Sequence, residues 1–196
     1  DSPGFDDDIA INSASYTSNA AGNPGGALVG SGPWTLANNQ VIAAGATHTY
    51  TLKVKVTLDL SAGSSGDNVY SKCEKTTPGD PASGEGLYNK ASVDTNDDGQ
   101  PDDEDEACGD LPNITVDKSI ATITDLGGNM YEVSYQVLVK NTGGASGDYD
   151  LKDSPGFDDD IAINSASYTS TAAGNPGGAL VGSGPWTLAN NQVIAA

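Results

Sequence analysis

Between Asp94 and Asp105 the chain carries oxygen-bearing side chains at a spacing suited to a hard cation. Asp94, Asn96, Asp98, Asp102 and Asp105 occupy positions 1, 3, 5, 9 and 12 of a twelve-residue run. Gly99 stands at position 6, where such a loop turns sharply, and Gln100 at position 7 would offer its backbone carbonyl. A flexible all-oxygen cage suits Ca²⁺, whereas Mg²⁺ demands a tighter octahedron. A calcium loop is therefore expected, with a solvated acidic loop as the simpler alternative. Cys73 and Cys108 bracket the run. In a secreted setting they are expected to form a disulfide, closing a loop that also holds Thr77, Pro78, Gly79, Asp80 and Pro81. The sole histidine, His48, completes neither a zinc site with these cysteines nor a nucleophile and base arrangement. It is expected at the rim of a strand.

A second constellation follows from strand alternation. Lys118 shares parity with Ile114, Val116 and Ile120, Asn89 with Leu87, Ala91 and Val93, and Asp153 with Tyr149 and Leu151. Three polar side chains are thus expected to point into an apolar interior. Taking an ionised lysine out of water is costly, and burial favours the neutral forms of amine and carboxyl alike. A neutral amine beside an asparagine amide, with a protonated Asp153 (or its copy Asp1) polarising the carbonyl, is the arrangement for an intramolecular Lys–Asn isopeptide bond. An ordinary Lys118–Asp153 ion pair, or both groups turned to solvent at a twisted strand end, gives the same pattern without covalent chemistry. Asp158, Asp159 and Asp160, with the copies Asp6, Asp7 and Asp8, follow a Pro–Gly turn. They offer either a second metal site or a solvated turn.

The elements that position these groups are read from a duplication. Residues 1–44 and 153–196 are the same sequence except where Asn19 corresponds to Thr171. Residue n of the first copy matches residue n + 152 of the second, so the chain reads as one 152-residue period of a tandem array plus an overlap. The expected division is 1–112, the C-terminal part of one repeat, and 113–196, the N-terminal part of the next. In the repeat's own register, strands are expected over 114–120, 130–140 and 148–153. A fourth runs from Ile161 (Ile9 in the first copy) to Tyr168, and a fifth over 180–188. The sixth covers 49–60, with Tyr50, Leu52, Val54, Val56, Leu58 and Leu60 on one face, and the seventh 87–93. Strict period-two alternation over 130–140 and 49–60 is the signature of half-buried strands. Seven short antiparallel strands separated by turns predict an all-β, immunoglobulin-like sandwich.

The same residues resemble a known family. The run V-D-K-S at 116–119, Y-x-V-x-Y-x-V-x-V-x-N-T-G from Tyr131, L-K-D at 151–153, the Trp strand, T-Y-T-L-K-V-K-V from Thr49 and Y-N-K-A-S-V from Tyr88 resemble the DUF11-type repeats of bacterial and archaeal surface proteins. The resemblance spans essentially the whole period. It implies an immunoglobulin-like fold and cell-surface arrays, and no enzymatic activity. The run 94–105 ends in Asp and lacks flanking helical periodicity, so it resembles a thrombospondin type 3 or dockerin loop more than a sensor EF-hand. The Lys, Asn and Asp set resembles the cross-links of Gram-positive pilin and adhesin domains.

Composition narrows the function further. A formal net charge of −19 argues against nucleic acid and anionic lipid, both of which need clustered Lys and Arg. No apolar run is long enough for a membrane-spanning helix. Asn113-Ile114-Thr115 is an N-glycosylation sequon. The expected function is a non-enzymatic structural repeat of a secreted or cell-surface adhesin, stalk or filament, stiffened by calcium and a disulfide. Its partners are expected to be neighbouring copies of itself. A carbohydrate- or protein-binding surface module is the alternative.

Overall fold

The computed structural model describes residues 1–59, 70–73, 75–77, 80–81 and 84–196. The described residues form antiparallel β-strands and no helix, an all-β architecture consistent with a β-sandwich. The chain divides into two units, Asp1–Leu111 and Pro112–Ala196.

In unit 1 the strands are β1 (Ser2–Pro3), β2 (Ile9–Ser18), β3 (Gly25–Leu28), β4 (Tyr50–Leu58), β5 (Lys75–Thr77), β6 (Asp80–Pro81), β7 (Asn89–Val93) and β8 (Asp103–Ala107). One sheet has the order β3-β2-β4, another β1-β7-β8, and β5 pairs with β6. The expected alternation of β4 is realised: Tyr50, Leu52, Val54, Val56 and Leu58 are half-buried and the residues between them exposed. Leu60 lies outside the described residues. β2 runs against β4 from Ile9↔Leu58 to Ser18↔Tyr50. β2 returns through a tight loop to β3, where Gly25 takes φ 95° and a Cβ would sit 2.1 Å from the Tyr16 carbonyl oxygen. Only glycine fits such a close backbone approach.

Unit 2 contains β9 (Ile114–Gly127), β10 (Met130–Asn141), β11 (Gly147–Asp153), β12 (Ala166–Thr169), β13 (Gly177–Leu180) and β14 (Trp186–Ile194). β9 and β10 form a long hairpin, and β11 pairs with β14 and β12 with β13. Ile120 opposes Tyr135, but Thr122 opposes Ser134, so Ala121 is an extra residue in β9. This bulge returns Ile123 to the face of Ile114, Val116 and Ile120, opposite Val133. Asn141 holds the end of the hairpin. Its Oδ1 accepts the backbone N–H groups of Asn113 and Gly143, and its Nδ2 donates to the carbonyls of Ala145 and Ala195. The asparagine of the N-T-G run is thus a clasp for four backbone groups on three segments.

Two expectations need correction. The strand from Ile161 to Tyr168 is realised in unit 1 as β2, but in unit 2 only Ala166–Thr169 is strand. In unit 1 that stretch hydrogen-bonds to β4; in unit 2 β12 pairs with β13 alone, so no ladder holds 161–165. The expected strand 180–188 is two strands, β13 and β14, broken by a turn at 181–185. Conversely, residues 34–44 of unit 1 form no strand, whereas their copies in β14 pair with β11. Identical sequences adopt different secondary structure because strands exist only where a partner supplies the other half of the ladder.

Candidate functional site

The expected cation loop is a connection between β7 and β8, which pair from Val93↔Asp103 to Asn89↔Ala107. Side chains tie it to its own backbone. Asp94 Oδ1 accepts the N–H groups of Asn96 and Asp97 at 3.1 and 2.8 Å, and its Oδ2 that of Gly99 at 2.9 Å. Asn96 Oδ1 accepts from the N–H of Asp98, and Asp98 Oδ1 from that of Gln100. Asp97 and Gly99 take left-handed conformations, φ 59° and 81°, at positions 4 and 6 of the run. Asp102 Oδ2 closes the neck by accepting both the N–H and the hydroxyl of Thr95. These bonds hold the Asp102 carboxyl below its usual range, the hydroxyl being the larger cause. Asp94, Asn96, Asp98 and Asp102 thus line one turn, with Asn96 Nδ2 donating to Asp102 Oδ1 at 3.4 Å, but the carboxylates of this loop are not drawn together within 4.8 Å as those of the two Asp triplets are. Asp105 stands apart, on β8 opposite Ala91.

The Cys73–Cys108 disulfide is present, with 6.0 Å between Cα atoms. It fastens the residue after β8 to the segment after Tyr70. The N–H of Cys73 also donates to Asp110 Oδ1 at 2.8 Å. A Cβ on Gly86 would lie 2.8 Å from the Gly109 carbonyl and 3.0 Å from Cys73 Sγ, so the bridge packs against bare backbone. Pro78 and Gly79, expected inside the closed loop, lie outside the described residues.

The acidic triplets differ between copies. Among the described residues, Asp6, Asp7 and Asp8 form one group with carboxylate oxygens within 4.8 Å of one another, and Asp158, Asp159 and Asp160 the other. In the first, Asp6 and Asp8 are 2% and 4% exposed; in the second all three are exposed. Asp6 Oδ1 accepts the Asp8 N–H, the Asp8 carbonyl accepts the Asp59 N–H, and Asp8 Oδ1 is buried without a partner among the described residues. Burial, and then the charge of Asp8, pushes the Tyr70 phenol up. Asp59, Tyr70 and Gly86, which interact with Asp6 or Asp8, come after β4, beyond the span that the second copy shares.

The Lys, Asn and Asp set is divided between the units. In unit 2, Lys118 opposes Val137 on the face of Val116 and Ile120, as alternation predicts. That face is not the buried interior expected: Val116 and Ile120 are 63% and 58% exposed, and β9 and β10 form a two-stranded sheet with no third strand. Lys118 Nζ lies 2.7 Å from Asp153 Oδ1 and 4.5 Å from the centre of the Tyr135 ring. In unit 1, Asn89 Nδ2 donates to Asp1 Oδ2 at 3.0 Å, and Asp1 Oδ1 and Asn89 Oδ1 are buried without partners. Beside them is an open cavity of about 260 Å³ lined by Phe5, Leu52, Val54, Val56, Leu87 and Asn89. Three further features escaped the sequence reading: the Thr95–Asp102 latch, the Tyr70–Asp8 contact and the acidic strand β8. The D-E-D-E-A composition of β8 is poor in strand formers, and Lys90, paired with Glu104 at 3.0 Å, helps hold it to β7.

Comparison with protein-family models, curated proteins and solved structures finds no match for this chain.

Proposed function

We propose that this chain is a segment of a tandemly repeated, immunoglobulin-like stalk or filament of the DUF11 type, carried at an extracellular surface and assembling with further copies of itself. The observation that carries this reading is the complementarity of its two units. The duplicated stretch makes the same local bonds in both. Tyr16 and Tyr168 donate to Asn23 and Asn175, whose amides donate to the carbonyls of Leu36 and Leu188. Trp34 and Trp186 donate to the carbonyls of Val29 and Val181, and Gln40 and Gln192 to those of Ala21 and Ala173. Around this shared frame, unit 1 supplies β4, β7 and β8 and an uncovered apolar cavity. Unit 2 supplies the hairpin β9–β10 with its uncovered apolar face, together with β11. Each has what the other lacks.

Calcium at the loop 94–102 and the disulfide at its base would stiffen each repeat. The buried Asp6 and Asp8 favour a second cation there, since buried like charges are costly unless a cation or proton neutralises them. A spacer needs length and stiffness in place of a substrate pocket, and the second groove, along Tyr16, Asn23 and Gln40, has these polar groups bonded within the fold.

Appending residues 45–196 a second time completes one repeat. The expected result is a new unfolding transition, more cooperative and at higher temperature than those of the 196-residue chain. Transitions identical to those of the shorter chain would overturn the tandem reading.

A further inference from the structure

Asp1 and Asp153 occupy the same place in the fold. Asp1 exchanges backbone hydrogen bonds with Trp34 in both directions, at 2.9 and 2.8 Å, and Asp153 pairs with Trp186 in the β11–β14 ladder. The prolines two positions on lie equally close to Gly32 and Gly184, with a glycine Cβ 2.7 and 2.6 Å from the ring Cδ. What the two carboxylates touch is different. Asp1 gives one oxygen to the amide of Asn89 and keeps the other buried and unpartnered. Asp153 gives one oxygen to the ammonium of Lys118 at 2.7 Å. Overlaid through the duplication, the two half-sites bring a lysine amine and an asparagine amide onto a single carboxylate.

We infer that in each complete repeat Lys118 and the counterpart of Asn89 one period onward are joined by an isopeptide bond, with Asp153 as the proton acceptor. This rests on the tandem reading, because one aspartate must serve both partners. The lysine passes one ammonium proton to the Asp153 carboxylate, and the amine attacks the asparagine Cγ. The Cγ–Nδ2 bond breaks, and Nδ2 departs as ammonia with a second proton from the lysine nitrogen. The third proton remains on the new amide. No oxidant, reductant or co-reactant is needed. Two groups held within hydrogen-bonding distance of one carboxylate gain the rate advantage of an intramolecular reaction.

Satisfying the buried polar atoms favours the bond over an ion pair. A lysine ammonium set on the free oxygen of the aspartate would still leave the asparagine Oδ1 buried and unpartnered, which is costly. After condensation the new N–H donates to one aspartate oxygen, and the protonated oxygen of the aspartate donates to the new carbonyl. Every donor and acceptor of the trio is then used.

The test is the intact mass, under denaturing and reducing conditions, of the chain with residues 45–196 appended a second time. A deficit of about 17 Da, one ammonia, is expected for the completed repeat, with a branched peptide linking Lys118 to the asparagine. Lys118→Arg and Asp153→Ala are each expected to restore the full mass. Full mass in the unsubstituted extended chain overturns the bond. If that chain still gains the new cooperative transition, the tandem reading survives and the cross-link alone fails; if it does not, both fail. A deficit that persists in Lys118→Arg would also overturn the assignment.

Discussion

Thr95 donates both its backbone N–H and its hydroxyl to a single carboxylate oxygen of Asp102. With the bond from the Asp102 N–H to the Val93 carbonyl at 2.8 Å, this closes the loop where β7 hands over to β8. Because these bonds favour the charged carboxylate, Asp102 titrates below its ordinary range. A depressed folded value stabilises the closed loop above the unfolded pKa, near 4 for Asp, and that contribution is lost as pH falls through the folded value. Carboxyl NMR titration should show Asp102 moving up toward the ordinary range in Thr95→Val. An unmoved titration would mean that the latch does not set it.

Calcium should raise the thermal midpoint and EDTA should lower it. For a site at a hundredfold excess over its dissociation constant the stabilisation is about 2.7 kcal/mol. Asp98→Ala should remove the part due to the loop, and Asp8→Asn the part due to the buried triplet. A midpoint indifferent to EDTA would remove calcium from the account.

Tyr70 is held neutral by burial first and by Asp8 second. Its raised value contributes stability that is present below the ordinary tyrosine pKa, near 10, and is lost as pH rises through the folded value. Asp8→Asn should lower the Tyr70 titration part of the way, because burial remains. Difference absorbance against Tyr70→Phe isolates that phenol from the others. A shift all the way to the ordinary value would assign the effect to charge alone.

Reducing the Cys73–Cys108 bridge, or the double change to serine, should cost roughly 3–4 kcal/mol for a loop of this span, read as a lower denaturation midpoint. Hydrogen exchange should quicken around β7, β8 and Gly86 and stay unchanged in β9 and β10. Equal quickening in β9 and β10 would contradict the two-unit division.

Gly177→Ala should open the β12–β13 hairpin. An alanine Cβ there would sit 2.2 Å from the Tyr168 carbonyl oxygen at φ 91°, so the expected destabilisation exceeds the ~1 kcal/mol of an ordinary glycine replacement. Fast amide exchange confined to that hairpin would bear this out, and unaltered exchange would refute it.

Local pattern alone determined a good deal of this protein. Period-two alternation located β4, β10 and β11, because a strand with one half-buried face leaves its signature in consecutive residues. The cysteine pair was legible from its count, and the parity that puts Lys118 with Val116 and Ile120 from spacing. Tertiary structure decided what depends on a partner distant in sequence. Residues 9–18 are a full strand and 161–165 are not, because only the first have β4 to bond with. D-E-D-E-A becomes a strand despite its composition, because β7 is there to receive it. Asp6 and Asp8 are buried where Asp158 and Asp160 are exposed, with sequence and turn unchanged. Hydrogen-bond ladders and burial belong to pairs of segments, and two copies of one sequence in two settings show how far a partner decides their fate.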